Sequence, residues 1–143
     1  MTGSAAKAYR IGIIGGIIGG VVFGLFMQMQ GMLGMVASLA GSESLFVGWV
    51  VHMVISVIFG LSFAVLTFVI PNLWTLSLLF GIGIWIIGPL LIMPAMMGMG
   101  TNLANAFTPD LLMSLVTHIG FSFIVGATFK VMTRKKVAGA KAA

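Results

Sequence analysis

Four long stretches of this chain carry almost no charge, and this pattern constrains the fold more than any other feature. The residues are 60% hydrophobic and 6% charged, with a mean hydropathy of +1.23, so a water-soluble globule could not bury the apolar surface. A membrane helix needs about 20 apolar residues, and lipid offers backbone polar groups no other partner. We therefore predict an all-α membrane protein with a single transmembrane domain over 1–143. Its four transmembrane helices are predicted at about 11–35, 45–69, 74–99 and 111–132.

The charged residues predict how these helices cross the membrane. All seven basic residues lie near the two ends of the chain, and the two acidic residues, Glu43 and Asp110, lie in the first and third connections. Four spans bring both ends to one side, and the positive-inside rule assigns that side to the cytoplasm. We expect a prokaryotic cytoplasmic (inner) membrane with both termini cytoplasmic. The basic tail, 133–143, is short and lacks interleaved aromatic residues, so we expect it to meet the lipid bilayer and not nucleic acid.

A motif of the form His-x-x-x-Ser-x-Ile-x-Gly occurs twice, once in the second apolar stretch and once in the fourth. It covers 52–60 and 118–126, an offset of 66 residues, and the same offset pairs Gly15 with Gly81. This predicts a tandem duplication of a two-helix unit, with repeat 1 at about 11–69 and repeat 2 at about 74–132. Such units are related by a pseudo-two-fold axis along the membrane normal, which places His52 and His118 at one depth.

Small residues at four-residue spacing predict where the helices pack. A glycine row on the first helix lets another helix approach closely. Small and polar residues also recur at four-residue spacing around each histidine, and we call them the histidine stripe: Ser44, Gly48, His52, Ser56 and Gly60 on the second helix, and Asp110, Ser114, His118, Ser122 and Gly126 on the fourth. This stripe is expected to face the interior because polar side chains in membrane helices avoid lipid. These predicted packing residues are Gly12, Gly16, Gly20, Gly24, Ser56, Gly60, Ser122 and Gly126.

His52 and His118 are the only ionisable side chains inside the apolar body, and three hypotheses explain them. Imidazole and thioether ligands suit Cu(I), and the chain has no cysteine, although methionine also serves as apolar filler. The two histidines could instead be axial ligands of haem b, but no Arg or Lys lies on the outward side to meet propionates. They could also simply hydrogen-bond across helices. The residues of the predicted copper site are His52, His118, Met27, Met93, Met96 and Met97.

Catalysis is not expected of this chain. It has no pair of buried carboxylates, no Gly-x-Ser-x-Gly and no His-Glu-x-x-His motif. The preferred hypothesis is a non-catalytic accessory or structural subunit of a larger membrane assembly or a homo-oligomer, whose partners are other membrane protein subunits or itself. A small channel or transporter is the remaining alternative, suggested only by the histidines and by Pro89 and Pro94, which also predict a bend in the third helix.

From the second helix onward the sequence resembles the YagU-like group of small prokaryotic inner-membrane proteins and related duplicated four-span proteins. The resemblance is carried by the motif at 52–60, the turn at Pro71, the Met-Pro-Ala-Met-Met-Gly-Met core within 92–99, and His118 followed by a basic tail. This chain departs from the group in its compact first connection and its methionine content. The resemblance implies a four-helix membrane fold and no settled biochemical activity, so it transfers no catalytic residue.

Overall fold

The computed structural model describes the backbone of residues 2–141 and the side chains of 4–134, and this part of the chain is helical without a strand. A π-helical segment, Ile86–Ile92, links α4 to α5, and a short 3-10 helix covers Leu103–Asn105. The side chains of the predicted basic tail beyond Arg134 lie outside the described residues. The α-helices are α1 (Thr2–Met29), α2 (Leu33–Ser38), α3 (Leu45–Leu66), α4 (Leu73–Trp85), α5 (Met93–Met96) and α6 (Pro109–Lys141).

Four helical segments are long and apolar enough to cross a membrane, which confirms the predicted all-α class and the number of candidate spans. They are Ser4–Met29, Leu45–Leu66, Leu73–Met96 and Pro109–Arg134. We call the side with the chain ends and the turn at 67–72 the terminal end, and the side with the connections 30–44 and 97–108 the loop end.

The first span is shorter at the loop end than the sequence predicted. It ends at Met29 and not near residue 35, because Gly31 adopts a φ of 70° and α2 begins as a separate short helix. The third span likewise ends at Met96, two residues before Gly98, whose φ is 73°. The sequence stays apolar beyond both helix ends, so hydropathy does not reveal them. Only the conformations of Gly31 and Gly98 mark where the helices end.

Helices α1 and α3 touch through their backbones. A Cβ added to Gly12 would collide with the carbonyl oxygen of Gly60, and one added to Gly60 would collide with that of Gly12. One turn further on, Gly16 lies equally close to the carbonyl oxygen of Ser56. Glycine at these positions allows the close approach on which helix association in lipid depends, because lipid supplies no hydrophobic force between helices.

A second face of α1 packs on α6. Gly15 lies against Val125, and Gly19 lies under the ring of Phe121. Helix α1 therefore has α3 on one side and α6 on the other, and it makes its most extensive contacts with these two helices.

Helix α4 packs on α6 through small residues and stays further from α3. Gly81 lies against the backbone of Ile119, and Gly126 lies against the hydroxyl of Ser77. Between α3 and α4, by contrast, the rings of Phe63 and Phe80 meet edge to face at 5.4 Å. Aromatic rings hold helices further apart than glycines do, so the bundle has three close edges and one open edge.

The core at the terminal end is filled by apolar side chains. Phe63 and Val125 are fully buried there. The cluster closes the interior on the terminal side of both histidines, and its buried members are Ala8, Ile11, Phe63, Ala64, Leu76, Phe80, Ile84, Phe121, Val125 and Phe129.

The third span changes its helical geometry near its loop end. Pro89 lies inside the π-helical segment, where its missing N–H removes one bond from the helical ladder. Pro94, four residues after Leu90, also has no N–H to donate, and the carbonyl of Leu90 instead accepts a hydrogen bond from the backbone N–H of Asn102 at 2.8 Å. This bond ties the loop that precedes α6 to the irregular part of the third span.

Replacing Gly60 by isoleucine is expected to destabilise the bundle by about 3 kcal/mol, because the new side chain meets backbone that cannot rotate away. The matched control is Gly34→Ile on α2, since a Cβ at Gly34 meets no atom within 4 Å. Reversible unfolding in mixed micelles measures both effects. Equal losses for the two variants would show that the α1–α3 contact has no special role.

Candidate functional site

His52 joins α3 to α1 in the loop-end half of the bundle. Its Nε2 lies 2.8 Å from the carbonyl oxygen of Gly20, so this nitrogen is protonated and its N–H donates a hydrogen bond to the carbonyl. The ring fits beside α1 because Gly24 has no side chain, and the Cδ2 edge of His52 approaches that glycine closely. The predicted glycine row thus gives the histidine both a partner and the space to reach it.

Trp49 and Gln28 form a second cross-link between the same two helices. The indole N–H of Trp49 donates to the side-chain oxygen of Gln28 at 2.7 Å. The indole also meets the ring of His52 edge to face, with centroids 6.1 Å apart. The loop end of the α1–α3 pair is therefore fixed by two hydrogen bonds in addition to the glycine contacts.

His118 makes a different contact from His52. Its Nδ1 lies 2.7 Å from the carbonyl oxygen of Ser114, one turn earlier on the same helix, and 3.4 Å from the hydroxyl of Ser114. The short distance to the carbonyl identifies Nδ1 as the protonated nitrogen. His118 is thus oriented by its own helix and does not tie α6 to a neighbour through this bond.

Each imidazole is left with one unprotonated nitrogen, Nδ1 of His52 and Nε2 of His118. Neither nitrogen has a hydrogen-bond partner within the part of the chain whose side chains are described. The site therefore offers two oriented lone pairs in an apolar bundle.

The serines one turn beyond the histidines differ from each other. The hydroxyl of Ser56 donates to the carbonyl of His52 at 2.8 Å. Ser122, at the corresponding place on α6, is fully buried, and its hydroxyl has no partner among the described residues. The two halves of the histidine stripe are alike in sequence and unlike in hydrogen bonding.

Two of the four methionines of the predicted copper site lie nearer the surface than the half-buried histidines do, and the other two are half-buried like them. Met27 on α1 and Met93 on α5 are half-buried, whereas Met96 and Met97 are 62% and 42% exposed. Across the described residues, no hydrogen bond joins a histidine ring to a methionine sulfur, and no three His, Cys, Asp or Glu side chains form a metal-binding group. The copper hypothesis therefore depends first on the two imidazoles.

The glycines near His52 do not form a cleft for a porphyrin. The space beside Gly24 is filled by Trp49 and His52, and the space beside Gly20 is filled by Ser56 and the sulfur of Met53. Trp49, one of the few outward donors, already gives its indole N–H to Gln28 at 2.7 Å. These residues do not fit haem b, so we derive no function through that group.

Sequence reasoning missed the residues that hold His52 in place. Gln28 is a polar side chain at the end of an apolar run, and this signal could have identified it as a partner for Trp49 across the helix pair. The carbonyl of Gly20 could not have been found in this way, because every residue of a helix carries one.

Comparisons with protein-family models, with curated proteins and with solved structures find no match to this chain. The resemblance to the YagU-like group stays a prediction.

Proposed function

We propose that this chain is a non-catalytic membrane subunit that associates laterally with a second copy of itself through the third span. The observation that carries the proposal is the use of glycine. Within the four described membrane segments, every glycine packs against another part of the chain except Gly83 and Gly88, where an added Cβ would meet nothing within 4 Å.

A glycine that packs against nothing lowers the stability of a membrane helix, so the presence of Gly83 and Gly88 requires an explanation. Glycine in a helix interior costs about 1 kcal/mol relative to alanine, and it returns stability only where another backbone comes close. The neighbouring side chain of Ile87 is 51% exposed, so the surface around the two glycines is apolar and accessible. A second helix packed on this surface would bring the glycines into the kind of contact that the others make.

A second copy of the chain is the occupant that this surface fits best. In a two-fold dimer the same patch lies on both partners, so the open apolar surface around Gly83 and Ile87 meets its own equivalent. The patch carries no charge that would select a differently charged partner.

Cysteine cross-linking tests this interface directly, because the chain has no native cysteine. We expect Gly83→Cys to form a disulfide-linked dimer in native membranes. Val54→Cys on α3, whose side chain is 54% exposed, serves as the control and is not expected to cross-link. Gly83→Ile is expected to raise the dissociation constant of the dimer about tenfold, equivalent to 1.4 kcal/mol, without loss of fold.

Gentle extraction that yields only a 15.0 kDa monomer, with no cross-link at Gly83, would contradict the proposal of self-association. A cross-linked band larger than a dimer would instead identify the chain as an accessory subunit of a larger assembly.

We also propose that the terminal end faces the cytoplasm of a prokaryotic inner membrane. The charge distribution supports this orientation, since all basic residues lie toward that end and both acidic residues lie in the loop-end connections. A membrane-impermeant thiol reagent added outside intact cells is expected to label Ser42→Cys and not Arg134→Cys. The reverse labelling pattern would contradict the orientation.

The proposed tandem duplication is supported by one pair of contacts. Gly60 meets Gly12 in the first helix pair, and Gly126 meets Ser77 in the second. The second helices of the two units correspond at an offset of 66 residues, whereas Gly12 and Ser77 correspond at 65. This pair of contacts therefore favours an offset of 65 for the first helices over the ungapped offset of 66 that aligns Gly15 with Gly81. An experimental structure in which the two helix pairs fail to superpose would contradict the duplication.

A copper site is the second candidate function, and the orientation of the imidazoles favours it. Histidines that bind metals commonly donate their other N–H to a carbonyl, which fixes the tautomer and points the lone pair at the metal. His52 and His118 both make such a bond. Two imidazoles suit Cu(I) with or without thioether ligands.

Elemental analysis of protein purified from native membranes tests the copper site. We expect stoichiometric copper in the wild type and its loss in a His52→Ala, His118→Ala variant. Because Met96 and Met97 are exposed, a Met96→Leu, Met97→Leu control is expected to keep the metal. Folded wild-type protein without copper would contradict the proposal, and a Soret band lost with the histidines would indicate haem instead.

A further inference from the structure

We infer that Lys130 and Trp74 form a binding site for the phosphate of an anionic phospholipid at the terminal end of the bundle. The ammonium of Lys130 lies over the indole ring of Trp74, 4.6 Å from the ring centroid. Trp74 is the second residue of α4, close to the turn at 67–72, and it is 42% exposed. Tryptophan is enriched at the two faces of a membrane, because its ring suits the depth of the lipid headgroups.

Helix α6 holds the indole of Trp74 from two positions. The ring stacks on Phe123, with centroids 5.7 Å apart and planes at 20°. Lys130 follows Phe123 by two helical turns on the same face of α6. Because both contacts come from one helix, the indole and the ammonium are positioned together. They need little rearrangement to bind one ligand jointly.

The indole N–H of Trp74 differs from those of the other two tryptophans. Trp49 donates to the side chain of Gln28 at 2.7 Å, and Trp85 donates to the carbonyl of Leu111 at 2.9 Å. Across the residues whose side chains are described, the indole N–H of Trp74 has no acceptor. This N–H belongs to the ring over which the ammonium lies, so both donors are within reach of one phosphate group.

The charge of Lys130 has no acidic side chain to balance it at this end. The two acids of the sequence, Glu43 and Asp110, both lie at the loop end. Lys130 is half-buried, so its charge is screened less than that of an exposed residue such as Arg10. A phosphodiester supplies a negative charge and oxygen atoms that accept hydrogen bonds from the ammonium and from the indole.

The surface next to Trp74 favours a phospholipid over free phosphate. Leu78 lies one turn further along α4 on the same face, toward the membrane interior, and it is 44% exposed. An acyl chain can cover this apolar surface while its headgroup meets Lys130 and Trp74. Free phosphate has no apolar part that would gain from the contact.

Native mass spectrometry of the delipidated full-length protein, titrated in detergent with phosphatidylglycerol or with phosphatidylcholine, tests the site. Only the monomer signal is used, so the result does not depend on the proposed dimer. We expect one phosphatidylglycerol to bind more tightly than phosphatidylcholine, which has no net charge. Lys130→Gln is expected to raise the dissociation constant of phosphatidylglycerol about tenfold, because a hydrogen bond to a charged group is lost.

Three further variants separate a built site from general attraction between charges. Arg10→Gln removes the same charge from the same end and is expected to raise the dissociation constant by less than about threefold, because exposed charges contribute little. Lys130→Arg keeps the charge and the contact with the ring, so it is expected to retain binding. Trp74→Phe keeps an aromatic face but removes the N–H, and we expect several-fold weaker binding. Unchanged melting curves show that each variant is folded.

Equal weakening by Arg10→Gln and Lys130→Gln would overturn the inference, and so would full binding by Trp74→Phe or the absence of a preference for phosphatidylglycerol. Soluble glycerol phosphate provides the last comparison. Displacement of the lipid by glycerol phosphate at equal concentration would identify a soluble phosphate as the ligand and would overturn the assignment to a lipid.

Discussion

The backbone contact between Gly12 and Gly60 is the interaction on which the rest of the bundle depends. It brings α1 and α3 so close that neither position accepts a Cβ, and it fixes the rotation of α1. That rotation turns Gly15 and Gly19 toward α6 and Gly20 and Gly24 toward His52. Close approach at one point therefore determines which surfaces of α1 meet every other element.

The site in the loop-end half follows from this contact. With α1 fixed, the carbonyl of Gly20 becomes the partner of His52, and the missing side chain of Gly24 admits the ring and Trp49. His118 lies on a helix that α1 contacts through a different face, and its ring is held by its own backbone. One histidine is thus part of a helix–helix contact, whereas the other presents a nitrogen that no described protein group uses.

Hydropathy and charge predicted the helical class and the four spans, because lipid imposes strict demands on length and composition. The glycine row and the histidine stripe also indicated inward-facing surfaces. The ends of the first and third spans could not be predicted in this way, since they depend on the conformations of Gly31 and Gly98. The sequence could not predict the different hydrogen bonding of Ser56 and Ser122 either. Both serines occupy the same position of the motif, and only the rotation of one hydroxyl differs.

The aromatic cluster at the terminal end also divides the membrane electrically. A transmembrane voltage falls mainly across material of low dielectric constant, and each elementary charge that crosses 100 mV gains or loses about 2.3 kcal/mol. Phe63, Phe80 and Phe129 form such material, whereas the half that holds the imidazoles contains polar groups. A charge that moved between the histidines and the terminal end would therefore cross this material, and the energy of that movement would depend on the transmembrane voltage.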